Sequence, residues 1–230
     1  MTTVAILTAA GQGKRMGAPK QFIEFEGITM LERTLLVFEN TAVIDEIILV
    51  VNPDDIKRAK KFNFAKLKQV IAGGQERQDS VSAGLAVLPS DCEIVVVHDG
   101  ARPLVTSEII EQAVQVAEES GAVVVGVPVK DTVKMSNVKC PMSKDGVTIL
   151  KTLDRNCLWL AQTPQVFKKK IILEAFKKFG QEKVTDDAMM VEKLGVPVTM
   201  VMGSYANIKI TTPEDLLIAK ALLKTLETSE

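Results

Sequence analysis

Short apolar runs alternate along this chain with segments in which apolar residues recur every three or four positions. The runs are rich in Val and Ile and contain few polar residues, which is typical of strands that helices cover on both faces. We predict strands at TVAIL (3–7), EIILVV (46–51), KQVIA (68–72), EIVVVH (93–98), AVVVGV (122–127) and VTMVM (198–202).

The amphipathic segments between these runs are predicted helices. Several begin with Ser, Thr, Asp or Pro and end near Gly, as helix termini often do. They are TMLERTLLVFEN (29–40), DDIKRAKKF (54–62), RQDSVSAGLAVL (77–88), SEIIEQAVQVAEES (107–120), KKIILEAFKKF (169–179), TDDAMMVEKLG (185–195) and PEDLLIAKALLKTLE (213–227). The alternation of strands and helices predicts an α/β fold with a doubly wound, mostly parallel, Rossmann-like sheet.

Residues 129–158 interrupt this alternation. The stretch contains extended runs around a turn-like CPMSKDG and no convincing helix. One interpretation is a surface β-hairpin, and another is an arm that reaches a second subunit. Because the sequence has no repeat, low-complexity tract or Gly/Ser-rich linker, we predict a single domain over residues 1–230.

Composition excludes some functional classes. The chain has 28 Lys and Arg against 29 Asp and Glu, and this net charge of −1 argues against nucleic acid as the main partner. No apolar run approaches the roughly 18 residues of a membrane span, and the N-terminus lacks the basic start of a signal peptide. Cys92, Cys140 and Cys157 form no CxxC pair, and with the single His98 they make no convincing zinc site. An odd cysteine count without a signal sequence predicts a cytoplasmic protein.

The glycine-rich stretch AAGQGKRMGAPKQF (9–22) follows the first predicted strand, which suggests a phosphate-binding loop. A Walker loop needs Ser or Thr after its Gly-Lys pair, and here Arg15 follows Lys14. A dinucleotide fingerprint places its third glycine three residues after the second, whereas Gly17 comes four residues after Gly13. The stretch therefore matches neither of these loops.

The charge of this loop points to a different phosphate chemistry. Lys14, Arg15 and Lys20 place three cations within seven residues. A pyrophosphate that is bound intact needs mainly backbone N–H groups. Attack at the α-phosphorus of a nucleoside triphosphate instead builds negative charge on several oxygens, and cationic side chains stabilise that charge. The alternative is an ordinary glycine turn with solvated Lys and Arg side chains.

Asp99 ends a predicted buried strand in VVVHDGARP (95–103), and Arg102 follows three residues later. Ligands of open α/β sheets bind at the carboxyl ends of strands, and an Asp there is a natural ligand for Mg²⁺ held with a triphosphate. His98 precedes Asp99, but alternation along the strand points it away from Asp99 and into packing. A general base is unnecessary, because a phosphate monoester is already a nucleophilic dianion near pH 7.

AGGQERQDSV (72–81) reads as a glycine turn followed by the start of a helix. Bare backbone at Gly73 and Gly74 permits close approach of a flat base, and Ser80 can hydrogen-bond its edge. An ordinary connection between a strand and a helix explains the same residues equally well.

NIKITTPEDL (207–216) carries Lys209 within a predicted short strand, followed by a helix start. Thr212 with Glu214 and Asp215 is a good capping signal, which explains those three residues without any function. Capping does not explain Lys209.

Eight motifs carry a resemblance to a known family: AAGQGKRMG, PKQF, GGQERQDSV, HDGARP, PVKDTVK, DRNCLWLAQTPQVF, TDDA and GSYANIKITTPEDL. In this order, over about residues 4–220, the chain resembles the 2-C-methyl-D-erythritol 4-phosphate cytidylyltransferases of the non-mevalonate route to isoprenoids. The resemblance implies a Mg²⁺-dependent enzyme that joins CTP and methylerythritol 4-phosphate into CDP-methylerythritol and releases pyrophosphate. The acceptor phosphate attacks the α-phosphorus in line, without a covalent enzyme intermediate.

The matching motifs imply roles for individual residues. Arg15 and Lys20 would hold the triphosphate and stabilise the transition state, Asp99 would orient Mg²⁺, and Lys209 would neutralise the α-phosphate. The implied nucleotide-binding residues are Ala10, Gly11, Gly13, Gly74, Gln75, Ser80 and Asp99. The implied acceptor-binding residues are Arg102, Thr132, Arg155, Thr163, Thr185 and Lys209.

The resemblance also implies that residues 129–158 form a β-arm that embraces a second subunit of a homodimer, so that Arg155 completes the acceptor site of the other chain. Two positions depart from the family pattern. Thr8 stands where Pro is frequent, and Gln75 stands where Asp often follows the glycine pair, a change that bears on one base contact.

Two alternatives remain at this point. A sibling cytidylyltransferase acts on ribitol 5-phosphate, and PVKDT and DRNCLW favour methylerythritol phosphate over that acceptor. A non-catalytic nucleotide-binding protein of the same fold should have lost its loop cations. Arg15, Lys20, Asp99 and Lys209 are all present, which argues against that second alternative.

Overall fold

The structure, a computed structural model, describes residues 1–11, 20–137 and 147–227. The strands are Thr2–Ala9 (β1), Glu24–Phe25 (β2), Ile28–Thr29 (β3), Glu46–Val51 (β4), Leu67–Ala72 (β5), Cys92–Asp99 (β6), Ala122–Pro128 (β7), Lys134–Ser136 (β8), Ile149–Thr152 (β9), Trp159–Lys168 (β10) and Thr199–Met202 (β11). The helices are Met30–Asn40 (α1), Ile56–Ala59 (α2), Arg77–Ala86 (α3), Ser107–Ser120 (α4), Lys169–Phe179 (α5), Asp187–Lys193 (α6) and Pro213–Glu227 (α7). None of the helices in these ranges is long and apolar enough to cross a membrane.

Seven of the strands form one sheet in the order β11-β7-β10-β6-β1-β4-β5. Neighbouring strands are parallel except at β10, which runs antiparallel to both β6 and β7. The predicted doubly wound, mostly parallel sheet is confirmed, and the six predicted strands agree with observed ones to within two residues at each end.

The side chains of β1 alternate between the two faces of the sheet, as a buried strand requires. Ala5 and Leu7 face one core, formed with α1 and α4, whereas Val4 and Ile6 face a second core, formed with α3, α5 and α6. Because helices cover both faces, the central strands are almost continuously apolar.

Capping residues set the starts of two predicted helices. At α1, Thr29 accepts a hydrogen bond from the N–H of Glu32, whose carboxylate accepts one from the N–H of Thr29. At α7, the N–H of Asp215 donates to Thr212 Oγ1, and the Asp215 carboxylate accepts from the N–H of Thr212. The predicted cap at Thr212 is confirmed.

The predicted helix over 54–62 was largely wrong. A 3-10 turn, Pro53–Asp55, is followed only by the four-residue α2. If α2 continued, Lys60 and Lys61 would lie three and four residues after Lys57 on the same face, and such like charges destabilise a helix.

The apolar pattern also missed β10, because Gln162, Thr163 and Gln165 interrupt its apolar residues and Pro164 interrupts its pairing. Lys209 lies in an irregular loop, not in the predicted short strand. That loop is held to the sheet edge by Ile210, whose N–H donates to the carbonyl of Ala101 at 2.8 Å.

The excursion at 129–158 contains the predicted β-hairpin. Within it β8 pairs with β9 in antiparallel register, and its tip, residues 138–146, lies outside the described residues. Trp159 pairs with Pro128 where the excursion leaves and rejoins the sheet. The two ends of the excursion are therefore joined at one point.

The carboxyl ends of β1, β4 and β6 meet at one edge of the sheet, where Thr8 lies opposite Asp99 and Ala9 opposite Val51. Since β10 is antiparallel, its first half lies at this same edge. There the N–H of Asp99 donates to Thr163 Oγ1 at 3.1 Å. This edge is where ligands of α/β sheets bind.

Candidate active site at the carboxyl edge of the sheet

Two adjoining cavities open at this edge. The first lies between the end of β1 and the start of α3, and is lined by Thr8, Ala10, Gly11, Gly74, Gln75, Glu76, Arg77, Ser80, Asp99 and Lys209. The second lies between β6, β10 and the start of α6, and is lined by Arg77, Asp99, Arg102, Ala161, Gln162, Thr163, Gln165, Thr185, Asp186 and Lys209. Arg77, Asp99 and Lys209 line both, so a reaction between two ligands would take place beside them.

Most of the predicted site residues meet in these cavities. The first contains Ala10, Gly11, Gly74, Gln75 and Ser80 of the predicted nucleotide-binding set. The second contains Arg102, Thr163 and Thr185 of the predicted acceptor-binding set. Thr132 and Arg155 line neither cavity and are exposed on the excursion.

The predicted phosphate loop is described only at its ends. Gly13 and Arg15 lie outside the described residues, and Lys20 begins a 3-10 turn, Lys20–Phe22. The residues after Lys20 are well anchored, because Gln21 Nε2 donates to Asp55 Oδ2 at 3.1 Å and the ring of Phe22 stacks on Phe62. The far end of the loop is thus fixed to the segment that follows β4.

Asp99 is the centre of the charged network between the cavities. Its Oδ1 lies 2.8 Å from Arg77 Nε, and its Oδ2 lies 2.7 Å from Lys209 Nζ and 3.8 Å from Arg102 Nε. Burial alone would raise the pKa of Asp99, but the Arg77 and Lys209 cations outweigh burial and hold that pKa well below its usual range. Asp99 is therefore a carboxylate at any pH near neutrality.

A buried partner balances one of these cations. Arg77 Nη1 lies 2.8 Å from Asp187 Oδ2, and the Asp187 side chain is only 1% exposed. Arg77, Arg102, Lys209, Asp99 and Asp187 together carry one net positive charge, and the acidic residues Glu76 and Asp186 also line the first and the second cavity, respectively. Such a cluster at a strand edge suits a phosphate ligand.

Sequence reasoning missed Arg77 and Asp187. Arg77 is the first residue of α3, where a cation opposes the helix dipole, and this unfavourable position is the signal that a carboxylate partner exists. Asp187 begins α6 and resembles an ordinary acidic residue of a first helical turn. The spacing of these residues along the sequence does not indicate that Arg77 pairs with both Asp187 and Asp99.

His98 is fully buried and points away from the cavities, as predicted. Its Nε2 lies 3.2 Å from the carbonyl of Arg102, which can only accept, so Nε2 carries the proton and Nδ1 accepts from the Thr163 hydroxyl at 3.1 Å. Burial lowers the pKa of His98 from its ordinary 6.5 to about 3. The imidazole therefore stays neutral and serves structure.

This burial predicts acid-sensitive stability. The unfolded chain binds a proton at His98 near pH 6.5 and the folded chain only near pH 3, so stability rises with pH through that window. The free energy of unfolding should fall by about 2 kcal/mol between pH 7 and pH 5 from this group alone. Urea unfolding at both pH values checks this. A His98→Asn variant should show a shallower decline, and an equal decline in both proteins would contradict the assignment.

The glycine pair after β5 is explained first by packing within the protein. A Cβ on Gly73 would lie 2.5 Å from Ala10 Cβ and 2.6 Å from Ser80 Oγ, and a Cβ on Gly74 would collide with Asp79. Gly73 therefore allows α3 and the end of β1 to approach each other, and Gly74 leaves room for the Asp79 side chain, whose carboxylate accepts from the N–H of Glu76 at the start of α3. The close approach of a nucleotide base to these two glycines remains a prediction.

Gly73→Ala should therefore destabilise the fold and deform the first cavity. Overpacking of this kind typically costs about 1–3 kcal/mol, and the displaced Ala10 and Ser80 line the cavity. Urea unfolding and the KM for the predicted nucleotide, CTP, measure the two effects. Gly11→Ala is the matched control for stability alone, since its Cβ would meet nothing within 4 Å but Gly11 itself lines the first cavity. Equal stability of the two variants would contradict this account.

Comparison with known proteins identifies the family. Residues 3–225 match the family model described as IspD: 2-C-methyl-D-erythritol 4-phosphate cytidylyltransferase. A protein of that name from Alkaliphilus oremlandii is 47% identical over 232 residues, covering 97% of this chain and 95% of its own. The one from Clostridioides difficile is 45% identical over 227 residues, covering 95% of this chain and 92% of its own.

Solved structures agree as well. The 4-diphosphocytidyl-2C-methyl-D-erythritol synthase of Anaerococcus prevotii superposes with a TM-score of 0.83 at 35% identity, covering 97% of this chain and 96% of that one. The 2-C-methyl-D-erythritol 4-phosphate cytidylyltransferase of Thermus thermophilus has a TM-score of 0.78 at 31% identity and is covered completely, with 97% of this chain. Sequence and fold agree, and the chain belongs to the 2-C-methyl-D-erythritol 4-phosphate cytidylyltransferase family.

Proposed function

We propose that this enzyme transfers CMP from CTP to 2-C-methyl-D-erythritol 4-phosphate, giving CDP-methylerythritol and pyrophosphate for isoprenoid precursor synthesis. The proposal rests on family membership and on one observation of geometry. Arg77, Arg102 and Lys209 converge on Asp99 where the two cavities meet. Phosphoryl transfer needs positioning and charge stabilisation more than covalent chemistry, and this cluster provides both.

The two cavities divide the reactants between them. We assign CTP to the first cavity, between the glycine pair and β1, and the acceptor to the second, between β10 and α6. The acceptor phosphate then approaches the α-phosphorus beside Lys209, which lines both cavities. The Lys209 ammonium can stay close to the negative charge that develops on the reacting phosphate and stabilise it. No base is required, in keeping with the buried, neutral His98.

The donor set near Asp99 fits Mg²⁺ that arrives with the nucleotide. In the described ranges no three His, Cys, Asp or Glu side chains are grouped so as to hold a metal by themselves. Mg²⁺ in such enzymes is usually held by one or two carboxylates together with substrate phosphates and water. Asp99 supplies such a carboxylate, and Mg²⁺ bound there would neutralise triphosphate charge during transfer.

We further propose a homodimer joined through residues 129–158. Large apolar side chains are exposed at β9 and at the start of β10, with Ile149 56%, Leu150 60% and Leu160 55% exposed, a pattern typical of an interaction surface. Arg155 donates to the carbonyl of Lys130 at 2.7 Å and lines neither cavity of its own chain. A second subunit would bury the apolar side chains and receive Arg155.

We place the reaction in the cytoplasm. The odd number of cysteines supports this, as does the free and exposed thiol of Cys157, because exposed thiols persist mainly in reducing compartments.

Pyrophosphate release tests the proposed reaction. CTP, UTP, ATP and GTP are each combined with methylerythritol 4-phosphate or ribitol 5-phosphate, in Mg²⁺ or in EDTA. We expect turnover with CTP, methylerythritol 4-phosphate and Mg²⁺. Equal turnover of CTP, UTP and ATP, or faster turnover of ribitol 5-phosphate, would contradict the proposal.

A further inference from the structure

Arg77 is the one cation that contacts both buried carboxylates in the described part of the site. The geometry points to Arg77 as a positioning residue that, anchored by Asp187, holds the Asp99 carboxylate in the orientation that cytidylyl transfer requires. This inference rests on the proposed function and adds a role for two residues outside the predicted set.

Three distant parts of the chain meet at this guanidinium. Arg77 begins α3, Asp99 ends β6 and Asp187 begins α6. Nε lies 2.8 Å from Asp99 Oδ1, and Nη1 lies 2.8 Å from Asp187 Oδ2. A planar guanidinium can hold two carboxylates at fixed relative positions, whereas a Lys ammonium is a single point charge on a flexible stem.

The ion pair with Asp187 holds Arg77 in place, because the buried Asp187 carboxylate needs a cation. Its side chain is 1% exposed, and Arg77 is the only cation within salt-bridge distance of it among residues 1–11, 20–137 and 147–227. Neither carboxylate oxygen of Asp187 has a hydrogen-bond partner of good geometry in that part of the chain, so the ion pair with Arg77 is what offsets its buried charge there. A buried carboxylate in this position strongly resists losing its cation.

This anchoring divides the two oxygens of Asp99 between a fixed and an exchangeable partner. Oδ1 is held by Arg77, which the buried Asp187 keeps in place. Oδ2 faces Lys209 at 2.7 Å and, more distantly, Arg102 at 3.8 Å, and the Lys209 side chain is 39% exposed and free to move from Asp99 to a phosphate. Oδ2 would therefore be the oxygen available to Mg²⁺ held with CTP, while Oδ1 stays on Arg77.

Two simpler roles for Arg77 make different predictions. If the Arg77–Asp187 pair only stabilises the fold, activity should follow stability. If Arg77 instead contacts the triphosphate directly, its charge should matter equally with and without Mg²⁺. Positioning of Asp99 predicts losses that are specific to Mg²⁺ and that a Lys side chain does not repair.

The double variant Arg77→Met/Asp187→Asn separates structure from positioning. Arg77→Met alone should lower both the melting temperature and kcat, because it leaves Asp187 buried without a cation. The double variant removes both charges and should recover a melting temperature close to that of the wild type. Its kcat should remain about 10–100-fold low, the usual loss when a partner that orients a metal-binding carboxylate is removed. Recovery of kcat together with the melting temperature would overturn the inference.

Two further variants test whether the planar guanidinium of Arg77 is required, and whether the loss of any arginine lowers kcat. Arg77→Lys keeps the charge but cannot hold both carboxylates, so its kcat should be at least about tenfold low. Near-wild-type kcat in Arg77→Lys would overturn the inference. Arg33→Met removes a half-buried arginine of α1 that packs on Phe25 and lines neither cavity, so it should leave the kcat of the folded enzyme close to that of the wild type.

Titration calorimetry gives a readout that is independent of turnover. In the double variant, CTP affinity in Mg²⁺ should fall about tenfold or more, while CTP affinity in EDTA should change little. An equal loss in both conditions would overturn the inference in favour of a direct phosphate contact. A wild-type chain that binds CTP but releases pyrophosphate with neither acceptor would contradict the proposed function alone, since the calorimetric comparison needs only CTP and Mg²⁺.

Discussion

Lys209→Ala is expected to lower kcat by about 10²–10³-fold, the usual cost of removing one charge contact from a transition state. Lys209 lines both cavities, and its ammonium lies 2.7 Å from Asp99 Oδ2. Among the lysines whose side chains the structure describes, Lys209 alone lines either cavity. Without Lys209, the negative charge that develops at the α-phosphorus loses a mobile cation that lies between the two reactants.

The fold should survive this substitution. The Lys209 side chain is 39% exposed, and the loop around it is held by the backbone hydrogen bond from Ile210 to Ala101. Asp99 keeps Arg77 as a partner. The melting temperature should therefore shift little while kcat collapses. Lys60→Ala, which removes an exposed lysine outside both cavities, is the matched control and should keep full activity.

Initial rates at saturating CTP, acceptor and Mg²⁺ measure this effect. A Lys209→Ala enzyme with a kcat near that of the wild type would remove Lys209 from the catalytic set. A loss of activity that parallels a lower melting temperature would make the residue structural.

The second large effect concerns Arg155 on the arm. In its own chain Arg155 is exposed and lines neither cavity. If it completes the acceptor site of the other subunit, Arg155→Ala should raise the KM for methylerythritol 4-phosphate and leave the KM for CTP almost unchanged. A planar guanidinium suits a phosphate, so its loss should be large.

Mixed dimers test whether the site is shared. The Arg155→Ala and Lys209→Ala proteins should each be nearly inactive at low acceptor concentration. In a mixed dimer, one of the two sites combines an intact Lys209 with an intact Arg155 from the opposite chain. At equal ratio and random exchange about half of the dimers are mixed, so activity should recover to roughly a quarter of the wild type.

The exchange itself must be demonstrated, for example by co-purification of two differently tagged chains. No recovery of activity despite exchange would show that Arg155 serves its own chain or no site. A fully active monomer in solution would contradict the shared site in the same way.

The sequence predicts the sheet well because its strands are buried on both faces. β1, β4 and β6 are runs of Val, Ile and Leu whose ends are bounded by polar residues, and few other structures suit such a pattern. β10 escaped prediction because its first half lines the second cavity and therefore carries Gln162 and Thr163. A strand that serves a site loses the apolar pattern by which strands are found.

The site was predicted only in part, for a related reason. Asp99 is noticeable because it is a charged residue at the end of a buried apolar run. Lys209 is noticeable because helix capping explains its neighbours but does not explain Lys209. Arg77 and Asp187 each look ordinary within their own helix, and their meaning lies in a contact between residues 110 positions apart in the chain. Tertiary pairs of this kind leave no periodic signal.

The pairing of Trp159 with Pro128 separates residues 129–158 structurally from the main sheet. Residues 129–158 leave the sheet and return to it at one closed junction, so insertions or deletions in the hairpin need not disturb the register of β7 or β10. The cavity for the nucleotide lies elsewhere, between β1 and α3. Over evolution, the hairpin can therefore diverge in length and surface while the nucleotide-activating half of the protein stays constant.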